Sequence, residues 1–339
     1  MKFLIAGLGS IGRRHLRNLK ALGESDILLF RTHRATLSDD ELAGIPFETD
    51  LQHALASKPD AVIVANPTSI HLDVAIPAAK LGCHLLLEKP VSDSLAGLDD
   101  LATVARKSGS HILVGFQFHF HPTLQKTVEL LQAGAIGRLL SIRAQWGEYL
   151  PGWHPWEDYK QGYAARADLG GGAARSLTHP LDYLRWLCGD VQSLWAFTGN
   201  LGLGLPVEDT AEIGLRFVNG AIGSVQLNYN QRPAAHHLEL IGTEGTLRWD
   251  NTDGSLHVFR ASSIAQGQDH GGGWEHFLPP AGFDRNTMFL DEMRHFLSVM
   301  RGEAEPVCTM EDGKWALRLA LAALESDQTG RKIILEKGI

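Results

Sequence analysis

The chain has 339 residues, 44 % of them hydrophobic and 21 % charged, a globular composition with length enough for two domains. Its 31 Lys and Arg against 39 Asp and Glu leave a formal charge of -8 with no basic run, which speaks against nucleic acid or an anionic membrane surface as partner. Three cysteines, Cys83, Cys188 and Cys308, are too few and too dispersed for a disulfide framework or a CxxC metal site, so a reducing, cytoplasmic setting is expected.

The apolar opening stops at Gly7, too short for a signal peptide, and no apolar run approaches the roughly 20 residues of a membrane helix. Short apolar runs predict strands at Lys2 to Ala6, Asp26 to Phe30, Ala61 to Ala65, His84 to Leu87 and His111 to Val114. Between them Ile11, Leu16 and Leu19 recur at helical spacing, as do Val74, Ile76, Ala79 and Leu81, and Leu98, Leu101, Val104 and Ala105. Alternating strands and helix-length crossovers predict an α/β domain, a doubly wound parallel sheet, over residues 1–122.

From 123 to 339 the period changes. A helix at Leu124 to Leu131 leads to a strand at Leu139 to Trp146, and Ala211, Ile213, Leu215 and Phe217 alternate with polar residues. Asn219-Gly220 predicts a hairpin turn into a strand near Gly223 to Tyr229, because both residues accept positive φ. Gly242 to Gly245 predicts a second turn, joining Leu238 to Ile241 with Thr246 to Trp249. A Gly-rich stretch from Ser262 to Gly273 is expected as a mobile loop. Amphipathic helices follow at Met288 to Met300 and Glu311 to Leu324, Arg301-Gly302 ending the first. The second half is therefore an α+β domain with a large, mostly antiparallel sheet.

Gly7-Leu8-Gly9-Ser10-Ile11-Gly12 lies between the first strand and the first helix, the setting of a dinucleotide-binding turn. Gly7 permits the tight turn, Gly9 lets a pyrophosphate approach the backbone, and Gly12 lets helix and strand pack closely. Ser10 and Ile11 open the helix, whose free N–H groups and positive end favour phosphate. The second strand ends in Arg31, Thr32 and Arg34 with no acid before Asp39. A carboxylate there would take the ribose hydroxyl of NAD, whereas these residues suit the 2′-phosphate of NADP, so NADP is preferred over NAD.

Four further segments make the chain resemble the Gfo/Idh/MocA oxidoreductases: Asn66-Pro67-Thr68, Glu88-Lys89-Pro90, Gly115-Phe116-Gln117, and Gly170-Gly171-Gly172 leading into His179 and Asp182. The resemblance spans nearly the whole chain, and Glu-Lys-Pro after the fourth strand is its most specific element. It implies an N-terminal Rossmann domain and a C-terminal domain whose open sheet forms a subunit interface, in a homodimer or homotetramer. It further implies hydride transfer at a carbinol carbon of a sugar, sugar acid, cyclitol or nucleotide sugar. Asn66 and Pro67 would then border the adenine side of the cofactor, Glu88 and Lys89 the nicotinamide side, and Gln117 the substrate.

Chemistry gives some of these residues roles of their own. Lys89 stands at a C-terminal strand end, where doubly wound sheets bind ligands, and its ammonium could hydrogen-bond the reacting oxygen. A histidine titrates near neutrality, so His179 is the candidate for proton exchange, with Asp182 one turn on to orient it. Many relatives place an aspartate three or four residues before this histidine; here Arg175 and Ser176 stand there, and Ser176 can bond substrate or water but cannot serve as a carboxylate base. That departure keeps two other readings open, a cofactor-bound sensor without turnover and an enzyme that oxidises a sugar only transiently to permit elimination.

Trp146, Trp153, Trp156, Tyr149, Tyr159 and Tyr163 crowd the segment before the glycine run. Trp156 and Tyr163 are candidates to stack on a sugar, and Arg166 to grip a carboxylate or phosphate, the alternative being an aromatic core with loop charges. His119-Phe120-His121 invites a metal, but two ligands without a third at recognisable spacing are better read as strand-end histidines.

Overall fold

The computed structural model describes residues 1–32, 37–261 and 273–335. The chain divides into two compact units: Met1–Gln117 with Arg166–Gly171 and Asp284–Arg318, and Phe118–Ala165 with Gly172–Phe283 and Leu319–Ile339.

The first unit is built on strands β1 (Lys2–Ala6), β2 (Asp26–Phe30), β3 (Phe47–Glu48), β4 (Ala61–Val64), β5 (His84–Leu87) and β6 (Ile112–Val114). All five neighbouring pairs are parallel, in the order β3-β2-β1-β4-β5-β6. This is the doubly wound order, with its switch point between β1 and β4. Phe3 to Ala6 of β1 and all four residues of β4 are fully buried, as a doubly wound sheet covered by helices on both faces requires, which explains their unbroken apolar runs. The crossovers are α1 (Ser10–Ala21), α2 (Leu51–Ala56), α3 (His71–Lys80) and α4 (Leu98–Ser108). The sequence reading missed β3 and α2, which are two and six residues long and too short to show a period. It also began β6 one residue early.

The second unit opens with α5 (Pro122–Gln132) and β7 (Leu139–Tyr149). The short helix α6 (Ala173–Ser176) and α7 (His179–Cys188) precede β8 (Val191–Gly199), β9 (Thr210–Phe217), β10 (Ile222–Asn228), β11 (Asn230–Gly242), β12 (Gly245–Asp250), β13 (Ser255–Arg260) and β14 (Trp274–Phe277). The nine-stranded sheet runs β14-β13-β12-β11-β7-β10-β9-β8-β15, where β15 is Ile333–Ile334. Only β7 and β10 pair in parallel; every other neighbour is antiparallel. The Asn219-Gly220 turn falls as expected between β9 and β10, with Gly220 at φ +89. The loop expected at Ser262 to Gly273 lies, but for Gly273, outside the described residues.

Two long helices precede β15: α8 (Arg285–Met300) and α9 (Met310–Thr329). Asp284 caps α8 in a reciprocal box with Thr287, a start signal four residues ahead of the predicted onset. Among the described residues no helix is long and apolar enough to cross a membrane.

Candidate active site

Gly7 sits at the C-terminal end of β1 with φ +96, and an added Cβ would lie 2.4 Å from the backbone N of Asn66. At Gly12 a Cβ would come within 1.9 Å of the Gly7 carbonyl oxygen, so these two positions admit no side chain. Gly9 differs: it is the N-cap of α1, and nothing lies within 4 Å of where its Cβ would stand. No side chain caps α1 and its first turn holds no acid, leaving the N–H groups around Ser10 and Ile11 and an open approach beside Gly9. Asn66 donates to the Ile70 carbonyl at 2.9 Å, while its buried Oδ1 has no partner among the described residues. A tight glycine turn, an uncapped helix start and a spare buried acceptor fit a dinucleotide.

Beyond β2 the structure adds what spacing did not reveal. Asp39, eight residues beyond Arg31, returns to pair with it at 2.5 Å, and Arg31 also lies over the Phe47 ring. Arg13, buried on α1, donates Nε to the Leu8 carbonyl at 3.0 Å and its terminal nitrogens to the carbonyls of Ser38 and Leu37. It thereby ties the glycine turn to the segment carrying Asp39. Arg34 lies outside the described residues.

Glu88 and Lys89 follow β5. Glu88 is buried and takes a hydrogen bond from His15 Nε2 at 2.8 Å, while its other oxygen accepts the Lys89 backbone N–H at 3.2 Å. Gly115 leaves room for this carboxylate, since a Cβ there would lie 3.2 Å from all three carboxyl atoms. Burial opposes ionisation of Glu88, but the His15 hydrogen bond and the charges of His15 and Lys89 hold its carboxyl below the usual range. Lys89 is half-buried and Gln117 buried. Arg166 also belongs to this unit, and its guanidinium is already paired with Asp168, Nε to Oδ1 at 3.0 Å and a terminal nitrogen to Oδ2 at 2.5 Å. Gly170, at φ +84, packs where a Cβ would press on Asp93 and Thr68 at 3.1 Å.

In the second unit, Gly172 has φ +116, and a Cβ would strike the Glu208 carboxyl, which accepts the Ala174 N–H at 3.1 Å and so holds the start of α6. Ser176 is buried beside the Tyr229 hydroxyl, whose own surroundings include Tyr163 and Arg175. His179, buried at the start of α7, stacks on Trp146 at 5.1 Å and meets the edge of Phe118 at 5.0 Å. Trp146 is thus core, whereas Trp156 is 58 % exposed.

Asp182 takes a hydrogen bond from His119 Nε2 at 2.9 Å, and the His119 ring lies stacked on Trp186 at 4.2 Å. The strand expected to carry His119 and His121 is absent: Gln117–Phe120 form a 3-10 turn and His121 is the N-cap of α5. The Pro122 ring, set for the first helical turn, begins that helix where a strand would need its N–H. In the first unit, His15, Arg13 and Asp39 make contacts that the sequence did not single out.

Residues 1–116 match the "Oxidoreductase family, NAD-binding Rossmann fold" and residues 124–248 the "GFO/IDH/MocA C-terminal domain". The chain belongs to the Gfo/Idh/MocA oxidoreductase family. Among its relatives is a protein named myo-inositol 2-dehydrogenase from Thermotoga maritima, 28 % identical over the full length of both chains. Another, named 1,5-anhydro-D-fructose reductase, from Ensifer adhaerens, is 28 % identical over 83 % of this chain and 81 % of its own. In fold the chain is similar to levoglucosan dehydrogenase solved with NADH and levoglucosan, with a TM-score of 0.87 and 20 % identity over 99 % of this chain and 100 % of that one.

Proposed function

We propose that the protein is an NAD(P)-dependent dehydrogenase that transfers a hydride between nicotinamide and a carbinol carbon of a sugar, sugar acid, cyclitol or nucleotide sugar. The observation that carries this reading is the uncapped start of α1 beside the open Gly9 position, on the same sheet that carries the His15-held Glu88-Lys89 segment. Relatives named as dehydrogenases and reductases support catalysis over a sensor or a transient-redox eliminase.

Gly7, Gly9, Ser10, Ile11 and Gly12 would hold the pyrophosphate, Asn66 and Pro67 the adenine side, Arg31 and Thr32 the adenosine ribose, and Glu88 and Lys89 the nicotinamide side. The bound nicotinamide supplies the hydride donor or acceptor. Lys89 donates a hydrogen bond from its ammonium to the reacting oxygen and stabilises negative charge there. His179, walled by Trp146 and Phe118, exchanges the hydroxyl proton at a ring nitrogen. Gln117, Trp156, Tyr163, Ser176 and Asp182 are assigned to the substrate. Arg166 would meet a substrate anion only by exchanging Asp168 for it.

The cofactor we infer is NADP in preference to NAD. Arg31 and Thr32 supply the cation and hydroxyl for a 2′-phosphate, but Asp39 already engages Arg31 and offsets its charge. Residues 1–122 are assigned to cofactor binding and 123–339 to substrate binding and self-association as a homodimer or homotetramer, in the cytoplasm. The outward positions of β8 support association, because they carry Trp195 and Phe197, the latter 69 % exposed.

The test is to offer sugars, sugar acids, cyclitols and nucleotide sugars with NADP or NAD while following the absorbance of the reduced nicotinamide. Turnover on one class is expected; cofactor binding without turnover on any class would contradict the reading.

A further inference from the structure

His15 lies on α1, five residues beyond Ser10 and therefore about 7.5 Å further along the helix axis. Its side chain is fully buried, its Nδ1 has no partner among the described residues, and its polar contact is the 2.8 Å bond from Nε2 to Glu88 Oε1. A leucine or phenylalanine would fill this space beside Phe289 without stranding a ring nitrogen, so packing alone does not account for an imidazole here. Because a carboxylate only accepts, the imidazole must carry its proton on Nε2, and the bond is charge-assisted. Glu88 then passes the constraint on, its second oxygen fixing the Lys89 backbone N–H.

We propose that His15 is a positioning residue for the Glu88-Lys89 segment, so that one rigid helix presents its N-terminus to the pyrophosphate and, from its second turn, sets the strand end assigned to the nicotinamide. The inference rests on the cofactor reading above and adds to it a link between the two ends of that site. Gly115 is a second neighbour of the carboxylate: a methyl there would crowd Glu88, at 3.2 Å from each of its carboxyl atoms.

The experiment is a fluorescence titration with the reduced dinucleotide and a competition titration with ADP, for the whole chain and for His15→Leu, His15→Gln and Gly115→Ala. ADP occupies the helix start and the adenosine side but lacks the nicotinamide, so the two ligands separate the ends of the site. His15→Leu should weaken the dinucleotide about tenfold or more while leaving ADP within about twofold. His15→Gln, which keeps a donor, should recover most of the loss, and Gly115→Ala should reproduce it without touching α1. Equal weakening of both ligands, or dinucleotide binding unchanged in both His15→Leu and Gly115→Ala, would overturn the proposal. If His15→Leu does not fold, Gly115→Ala and His15→Gln decide alone. Failure of the unmodified chain to bind either ligand would instead remove the cofactor reading, and this proposal with it.

Discussion

His119 donates its Nε2 proton to Asp182 Oδ2 across 2.9 Å, linking the 3-10 turn before α5 to the first turn of α7. Both side chains are buried and Trp186 lies flat on the imidazole. Sequence spacing pairs Asp182 with His179, one turn away on the same helix; the structure brings to the carboxylate a histidine 63 residues distant in the chain. Removing His119 takes a charge-assisted donor from a buried carboxylate. His119→Leu should therefore cost about 3 kcal/mol in denaturant unfolding, while the double variant with Asp182→Leu should recover part of that loss. Additive losses would show that the pair is not coupled.

Cofactor choice should respond to Asp39. With its carboxylate removed, Arg31 is released for a 2′-phosphate, and Asp39→Ala should move the ratio of dissociation constants toward NADP by about tenfold. Titrations with both reduced cofactors check this; an unchanged ratio would mean that Arg31 does not meet the ribose end.

Glu292 on α8 is fully buried, and neither carboxyl oxygen has a partner among the described residues. Burial, with the charge of Glu88 nearby, pushes its carboxyl well above the ordinary carboxylate range. A folded value raised above the unfolded one means that the group's contribution is complete below an ordinary carboxylate pKa and is lost as pH rises toward the folded value. Glu292→Met should accordingly stabilise the protein at pH about 8 by about 1–3 kcal/mol, with a smaller gain at pH about 4. Unfolding curves at the two pH values measure the difference, and a loss of stability at the higher pH would contradict it.

His121 has the opposite sign. Packed against Trp249, Phe118 and Phe283 and facing the Thr123 hydroxyl, it is buried in neutral form, which lowers its pKa to about 4 from the ordinary 6.5. The stability it contributes is complete above pH 6.5 and falls away as pH drops toward 4. The whole window corresponds to on the order of 3 kcal/mol. His121→Phe should flatten acid unfolding between those limits, as followed by tryptophan fluorescence; an unaltered acid slope would place the titrating group elsewhere.

The sequence disclosed the parts whose information is local. The glycine fingerprint, the apolar runs of β1 and β4 and the Asn219-Gly220 hairpin each follow from steric freedom or a period within a few residues. What it did not disclose depends on long-range closure. His15 meets Glu88 from 73 positions away, and Arg13 reads as a surface cation until its guanidinium is seen satisfying three carbonyls inside the fold. His119 and His121 were misassigned to a strand because alternation over three residues cannot be told from a turn followed by a proline-started helix. The Glu88-Lys89-Pro90 segment was legible only through its family resemblance, since a single lysine after an apolar run has no distinguishing pattern.

The most direct test of hydride transfer is the single-turnover rate of cofactor reduction on the best substrate, measured for the unmodified chain, Lys89→Ala and His179→Ala. Cofactor dissociation constants would be taken from separate titrations. Both variants should slow the chemical step by about 10²–10⁴-fold, with the cofactor still bound. An unaltered chemical step in either variant would remove that residue from the reaction, and in both it would contradict the account of the site.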